Sequence, residues 1–118
     1  MNEILILFIL LQIKHFICDF LLQKPYQFLN KGVYGHFGGI LHAFIHGLGT
    51  IVILSFFTKY AAILAIADMI LHYHIDYAKV KINNHFGLKA DNSEKFWWLL
   101  GLDQMLHNLT YIGIIACL

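Results

Sequence analysis

The chain has 118 residues, 59% of them hydrophobic and only 13% charged. Soluble domains run roughly 45–50% apolar and about 25% charged, so an ordinary soluble globule and a disordered chain are both excluded. A net charge of +1 names no bulk electrostatic partner and argues against nucleic acid.

A bilayer core of about 30 Å takes about 20 apolar helical residues, and four stretches approach that requirement. The first, Ile4–Leu22, follows Glu3 instead of a basic segment and has no small-residue cleavage site before Pro25. It reads as a span, not a cleaved leader. Gln23–Gly38 holds the only proline together with Gly32, Gly35 and Gly38, and is expected to be a loop. Gly39–Phe57 is the second span, with a tight turn over Ser55–Lys59, and Tyr60–Tyr77 is the third. Lys79–Lys95 is polar and ends in Asp91-Asn-Ser-Glu94, a capping-box-like start near Ser93 for the last span, Phe96–Leu118. Connections this short favour antiparallel neighbours. The expected fold is all-α: one integral-membrane four-helix bundle over residues 1–118, with no internal repeat.

Lysines orient it. Lys24 and Lys31 in the first connection and Lys79, Lys81, Lys89 and Lys95 in the third lie on one side, with Lys59 on the other. The positive-inside rule then places the first and third connections in the cytoplasm of a bacterial inner membrane and both termini outside. Trp97 and Trp98 fall at the cytoplasmic interface. Gly47 and Gly49, with Ala61, Ala62 and Ala65, are expected to let the second and third spans approach closely.

Eight histidines in so apolar a chain carry the functional signal. Ionisable groups at bilayer depth cost on the order of 2.5–3.5 kcal/mol each and face a bundle interior or cavity. Every span has such a pair four residues apart: His15/Asp19, His42/His46, His72/Asp76 and Asp103/His107. Residues at i and i+4 share a helix face, the spacing by which two side chains reach one metal ion. Counted along alternating spans, all four pairs converge on the cytoplasmic half, within roughly 17 Å of its end. The set, without cysteine, suits zinc, manganese or iron, as one ion or two, some members orienting the others. Asp68 lies two turns from Asp76 and reads equally as a ligand or as a buried hydrogen-bonding partner.

Other residues are weaker candidates. His74 points away from His72, His36 and His85 are in expected loops, and Cys18 and Cys117 sit in apolar runs that make no disulfide framework. Gln23 continues the His15–Asp19 face and could donate to a substrate, Gln104 lies a quarter-turn from Asp103, and Gln12 stays unassigned. Lys24, Lys31 and Lys79 read as topogenic surface charges that also ring the mouth of the site, which favours an anionic substrate.

The ordered set His15-Phe-Ile-Cys-Asp19-Phe-Leu-Leu-Gln23, Lys31, His42, His72-Tyr-His-Ile-Asp76-Tyr-Ala-Lys79 and Asp103-Gln104-Met-Leu-His107 resembles domain-of-unknown-function family 3307. Those are small bacterial and phage-encoded membrane proteins. The resemblance implies a four-helix membrane protein with a shared His/Asp/Gln/Lys set, and supplies no reaction. In ligand type alone the pattern is also similar to inner-membrane metal-dependent hydrolases. The expected function is therefore an integral-membrane metal-dependent hydrolase acting on a lipid-like or anionic substrate from the cytoplasmic side. Water activated by the ion would attack, with Gln23, Lys31, Lys79 and Gln104 as candidate substrate contacts. Two alternatives are a cation or proton transporter using the same buried set, and a non-catalytic membrane interaction protein; any of the three readings is compatible with an oligomer. The almost wholly apolar outer halves disfavour the transporter.

Overall fold

Backbone capping sets the helix boundaries. In the computed structural model, which describes residues 2–118, α1 (Glu3–Phe16) starts where the Asn2 side chain accepts the Ile4 N–H. It runs directly into one π-helical turn, Ile17–Leu21, closed by the Leu22 N–H on the Ile17 carbonyl at 2.9 Å. A short α2 (Pro25–Phe28) carries the proline in its first turn, where a missing N–H costs nothing. The imidazole of His36 accepts the Gly38 N–H and opens α3 (Phe37–Leu54). The fourth helix, α4 (Ala61–Phe86), stops at Gly87, whose φ of 61° is the left-handed conformation glycine adopts without strain. Ser93 caps α5 (Glu94–Ala116) by accepting from the Lys95 N–H, at the start expected from the sequence.

The four long helices close a ring: α3 packs on α4, α4 on α5, and α1 on both α3 and α5, while α2 lies against α3 at one end. Among the described residues there is no strand. Two expectations change. The polar stretch after Tyr77 is not a connection over its first half, because α4 continues to Phe86 and spans about 39 Å at 1.5 Å per residue. Of the five small residues, Gly47 does face α4, at Ala65 and Met69, while Ala62 is exposed. Gly49 instead faces α1, where a Cβ would lie 2.7 Å from Cγ of Lys14.

Burial is the reverse of a water-soluble protein. Among the described residues twelve polar or charged ones are buried against nine hydrophobic ones, while Ile4, Ile13, Phe16, Phe44, Ile63, Ile66, Ile70 and Ile112 are exposed. The apolar core that does form, Leu7, Leu11, Leu54, Ala61, Tyr111 and Ile114, occupies the end that holds both termini. Two segments, Glu3–Leu21 and Phe37–Leu54, are long and apolar enough to cross a membrane, with mean hydropathies of 2.1 and 1.8. Asp68, His72, His74 and Asp76 in α4, and Asp103, Gln104, His107 and Asn108 in α5, keep those helices below that standard.

Candidate metal centre

Helical periodicity builds the site. His42, His46 and Thr50 on α3, Asp68, His72 and Asp76 on α4, and Asp103, His107 and Tyr111 on α5 are each spaced by four, and all nine are buried. Residues at that spacing stack on one face, so each helix presents a ladder of three polar groups to the interior. The first helix contributes Lys14 and His15, and the π turn contributes Asp19. One extra residue per turn widens the helix there, a feature that recurs at functional sites. It sets the Asp19 carboxylate between α1 and α3, where Oδ2 lies 2.9 Å from His15 Nε2 and Oδ1 lies 2.8 Å from His46 Nε2 and 3.1 Å from His42 Nε2. The Gln23 amide donates to the Asp19 carbonyl at 2.8 Å, so that side chain braces the turn.

Two ligand groups result. Asp19, His42, His46 and His72 can offer one atom each within 4.8 Å of one another, and so can His72, Asp76 and His107. Their shared member is central: His72 Nε2 is 3.1 Å from His42 Nε2 and 3.1 Å from Asp76 Oδ2. Asp76 Oδ1 meets His107 Nε2 at 3.0 Å. Zinc bonds of about 2.0–2.1 Å give a tetrahedron with edges of about 3.3–3.4 Å, close to these separations. The rings of His46, His72 and His107 form a continuous stack with centroids 3.7 and 4.1 Å apart.

His15 and Asp103 lie beside these groups. Asp103 Oδ1 is 3.4 Å from His107 Nε2, and its Oδ2 accepts from the Gln104 amide at 3.0 Å. Gln104 Oε1 in turn is 3.1 Å from His15 Nε2, so Gln104 ties α5 to α1. Asp68 falls outside both groups: it pairs with Lys14 Nζ at 3.2 Å and accepts from the Thr50 hydroxyl. Lys31 is not a surface charge. The turn after α2 folds it inward until its Nζ lies 2.9 Å from Asp76 Oδ2, with the residue 8% exposed. Lys79 stays nearer the rim, 3.8 Å from Asp103 Oδ2. Lys24 is exposed, His74 is exposed against the Tyr34 hydroxyl, and His85 is exposed on the last turn of α4, not in a loop.

Four residues of this interior lay outside the sequence-based set: Lys14, Thr50, Tyr111 and Gln27. The first donates to Asp68, to the Tyr111 hydroxyl at 3.1 Å and to His46 Nδ1 at 3.2 Å, and Tyr111 meets His15 Nδ1 at 2.6 Å. Gln27 Oε1 is 3.2 Å from His42 Nδ1. Thr50 and Tyr111 each continue a recognised pair by four residues, a signal the sequence does carry.

The donor set fits a divalent cation. Asp76 Oδ2, Asp103 Oδ1 and His72 Nδ1 are buried without a hydrogen-bond partner; the Lys31 ammonium approaches Asp76 Oδ2 in distance but not in line. Lys31 already faces Asp76 Oδ2 with a positive charge, so Asp103 Oδ1, with His107 Nε2 at 3.4 Å, is the buried carboxylate oxygen that a cation would relieve. Nitrogen and oxygen ligands without sulfur suit zinc, manganese or iron.

Fold and site together define an all-α chain with a polar interior able to hold a metal ion. The family model described as "Protein of unknown function (DUF3307)" matches residues 6–118, and the chain belongs to that family. No curated protein and no solved structure gives a significant match.

Proposed function

We propose that the chain is a multi-pass membrane protein whose four long helices enclose a metal-dependent hydrolytic centre. The carrying observation is the convergence of His and Asp side chains from the π turn, α3, α4 and α5 on two ligand groups that share His72. The apolar exterior around a charged interior supports a bilayer setting, in which ionisable groups face inward. The six lysines of the Lys24–Lys95 half orient that half toward the cytoplasm, with both termini outside.

When bound, a divalent ion supplies Lewis acidity and lowers the pKa of a coordinated water toward about 7. The chain's own groups do the rest. His72, Asp76, His42, Asp19 and His107 are placed to hold the ion. Lys31 balances the Asp76 charge. Lys79, loosely paired at 3.8 Å and partly exposed, can turn to an anionic substrate group. Beside it an apolar groove of about 270 Å³ between α4 and α5, lined by Leu71, Ile75, Leu99, Leu102 and Leu106, leads to Asp103 and suits an acyl chain. The substrate class is therefore an anionic, lipid-like molecule reached from the cytoplasmic leaflet.

A transporter would need polar groups continuing across the far half. Leu7, Leu11, Leu54, Ala61 and Ile114 plug that half instead, which favours the enzyme. The test is metal content of the purified protein with zinc, manganese and iron assayed together, followed by hydrolysis of phosphate- and carboxylate-bearing lipids in proteoliposomes. Metal that co-purifies, is lost in Asp76→Asn, and is needed for hydrolysis is the expected result. Absence of uptake of any of the three metals would overturn the reading, and cation flux without hydrolysis would transfer it to the transporter.

A further inference from the structure

His15 and His46 look like ligands by spacing, yet their outer nitrogens face an unusual partner. Lys14 is 5% exposed, and its Nζ reaches three acceptors: Asp68 Oδ2 at 3.2 Å, the Tyr111 hydroxyl at 3.1 Å and His46 Nδ1 at 3.2 Å. An ammonium has three N–H donors and no lone pair, so each of these partners must accept. His46 Nδ1 therefore carries no proton. A neutral ring then has its proton on Nε2, which lies 2.8 Å from Asp19 Oδ1 and donates to it.

The same logic runs one step further along the chain of contacts. The Tyr111 hydroxyl accepts from Lys14, and its single proton has His15 Nδ1 in front of it at 2.6 Å. His15 thus accepts at Nδ1 and bears its proton on Nε2, which faces Asp19 Oδ2 at 2.9 Å and Gln104 Oε1 at 3.1 Å. Both oxygens of Asp19 are held by an imidazole N–H, and both protons trace back to one buried lysine.

His42 is the opposite case. The Gln27 carbonyl oxygen accepts from its Nδ1–H at 3.2 Å, and its Nε2 lone pair is left pointing at Asp19 Oδ1 and His72 Nε2, 3.1 Å from each. In the metal-free chain the His72 Nε2–H can donate to that lone pair at 3.1 Å, and an ion beside Asp19 would take the donor's place. This is also the arrangement of metal-binding histidines, whose far N–H is held by a carbonyl or carboxylate.

We infer that Lys14 sorts the histidines by tautomer: His42, with His72, ligates the ion beside Asp19, while His15 and His46 do not ligate but hold the Asp19 carboxylate through Nε2–H. They are positioning residues, and so is Lys14. This assignment rests on the metal reading above for its ligands, but the tautomers stand independently of it.

The test has two arms. Nitrogen-15 NMR of ring-labelled, metal-free protein in micelles should give the Nε2–H form for His15 and His46 and the Nδ1–H form for His42, and Lys14→Met should abolish the fixed form of His46. In the second arm, chelator-stripped protein is titrated with zinc. His46→Ala should weaken zinc binding by about 10–100-fold, as loss of a ligand-orienting partner does. His46→Gln, whose amide N–H can replace the lost donor to Asp19, should recover most of that affinity. His42→Gln and His72→Gln should not bind. An Nδ1–H form at His46, or loss of zinc in His46→Gln equal to that in His42→Gln, would overturn the assignment. Wild-type protein that binds no zinc, manganese or iron would remove the metal reading, with the spectra still deciding the tautomers.

Discussion

The Lys14–Asp68 pair offers the sharpest energetic test of the interior. Both side chains are almost fully enclosed, at 4% and 1% exposure. Removing one partner of a buried pair leaves an uncompensated charge and costs about 3–5 kcal/mol. In Lys14→Met the Asp68 carboxylate keeps only the Thr50 hydroxyl among its present donors. In Asp68→Asn the ammonium keeps Tyr111 and His46 but loses its one countercharge. Each single change should therefore fall in that range. The double variant Lys14→Met/Asp68→Asn buries no net charge, and replacing a whole buried pair by neutral groups is often close to neutral. With each single variant at about 3–5 kcal/mol and the double near zero, a coupling of about 6–10 kcal/mol is the expected outcome of the cycle. It is read from urea or sodium dodecyl sulfate unfolding in mixed micelles, followed by helical circular dichroism. Single costs that simply add in the double variant, within about 0.5 kcal/mol, would refute the claim that these two charges neutralise each other.

Other perturbations separate packing from chemistry. Leu54→Ala, in the fully buried apolar plug, should cost about 2–5 kcal/mol in the same unfolding assay and leave zinc uptake unchanged. Gly49→Ala puts a Cβ 2.7 Å from Cγ of Lys14, and should destabilise by about 1–3 kcal/mol while disturbing the His46 tautomer in the NMR spectrum. A reporter fused after Leu118 should be active only on the periplasmic side; cytoplasmic activity would invert the orientation and the side from which substrate arrives.

Much of the interior is legible in the sequence because it follows one rule. The i, i+4 pairs lie on α-helices, and a helical face is a periodic property that needs no knowledge of the neighbours. What escapes that rule escapes prediction. Lys14 adds nothing to a pattern of His and Asp, and that pattern does not ask what a lone lysine in an apolar run must pair with. Lys31 is misread as a surface charge because an irregular turn brings it onto Asp76, and a turn has no period to read. Hydropathy ends the third span at Tyr77, but hydropathy marks the solvent and not the backbone. No glycine or proline interrupts α4 before Gly87, so the helix persists into its polar extension. The π turn leaves no sign in composition at all, and with it goes the detailed aim of Asp19.

The order of the charge partners along the chain has a bearing on how such a molecule comes to exist. Lys14 precedes Asp68, Lys31 precedes Asp76, and Lys79 precedes Asp103. Chains are made from the amino terminus onward, and early segments settle before later ones emerge. In a membrane setting, each of these carboxylates would thus arrive to find its cation already waiting. The two segments long and apolar enough to cross a membrane, Glu3–Leu21 and Phe37–Leu54, are also made first. The more polar helices, α4 and α5, come last, after Lys14 and Lys31 are already made.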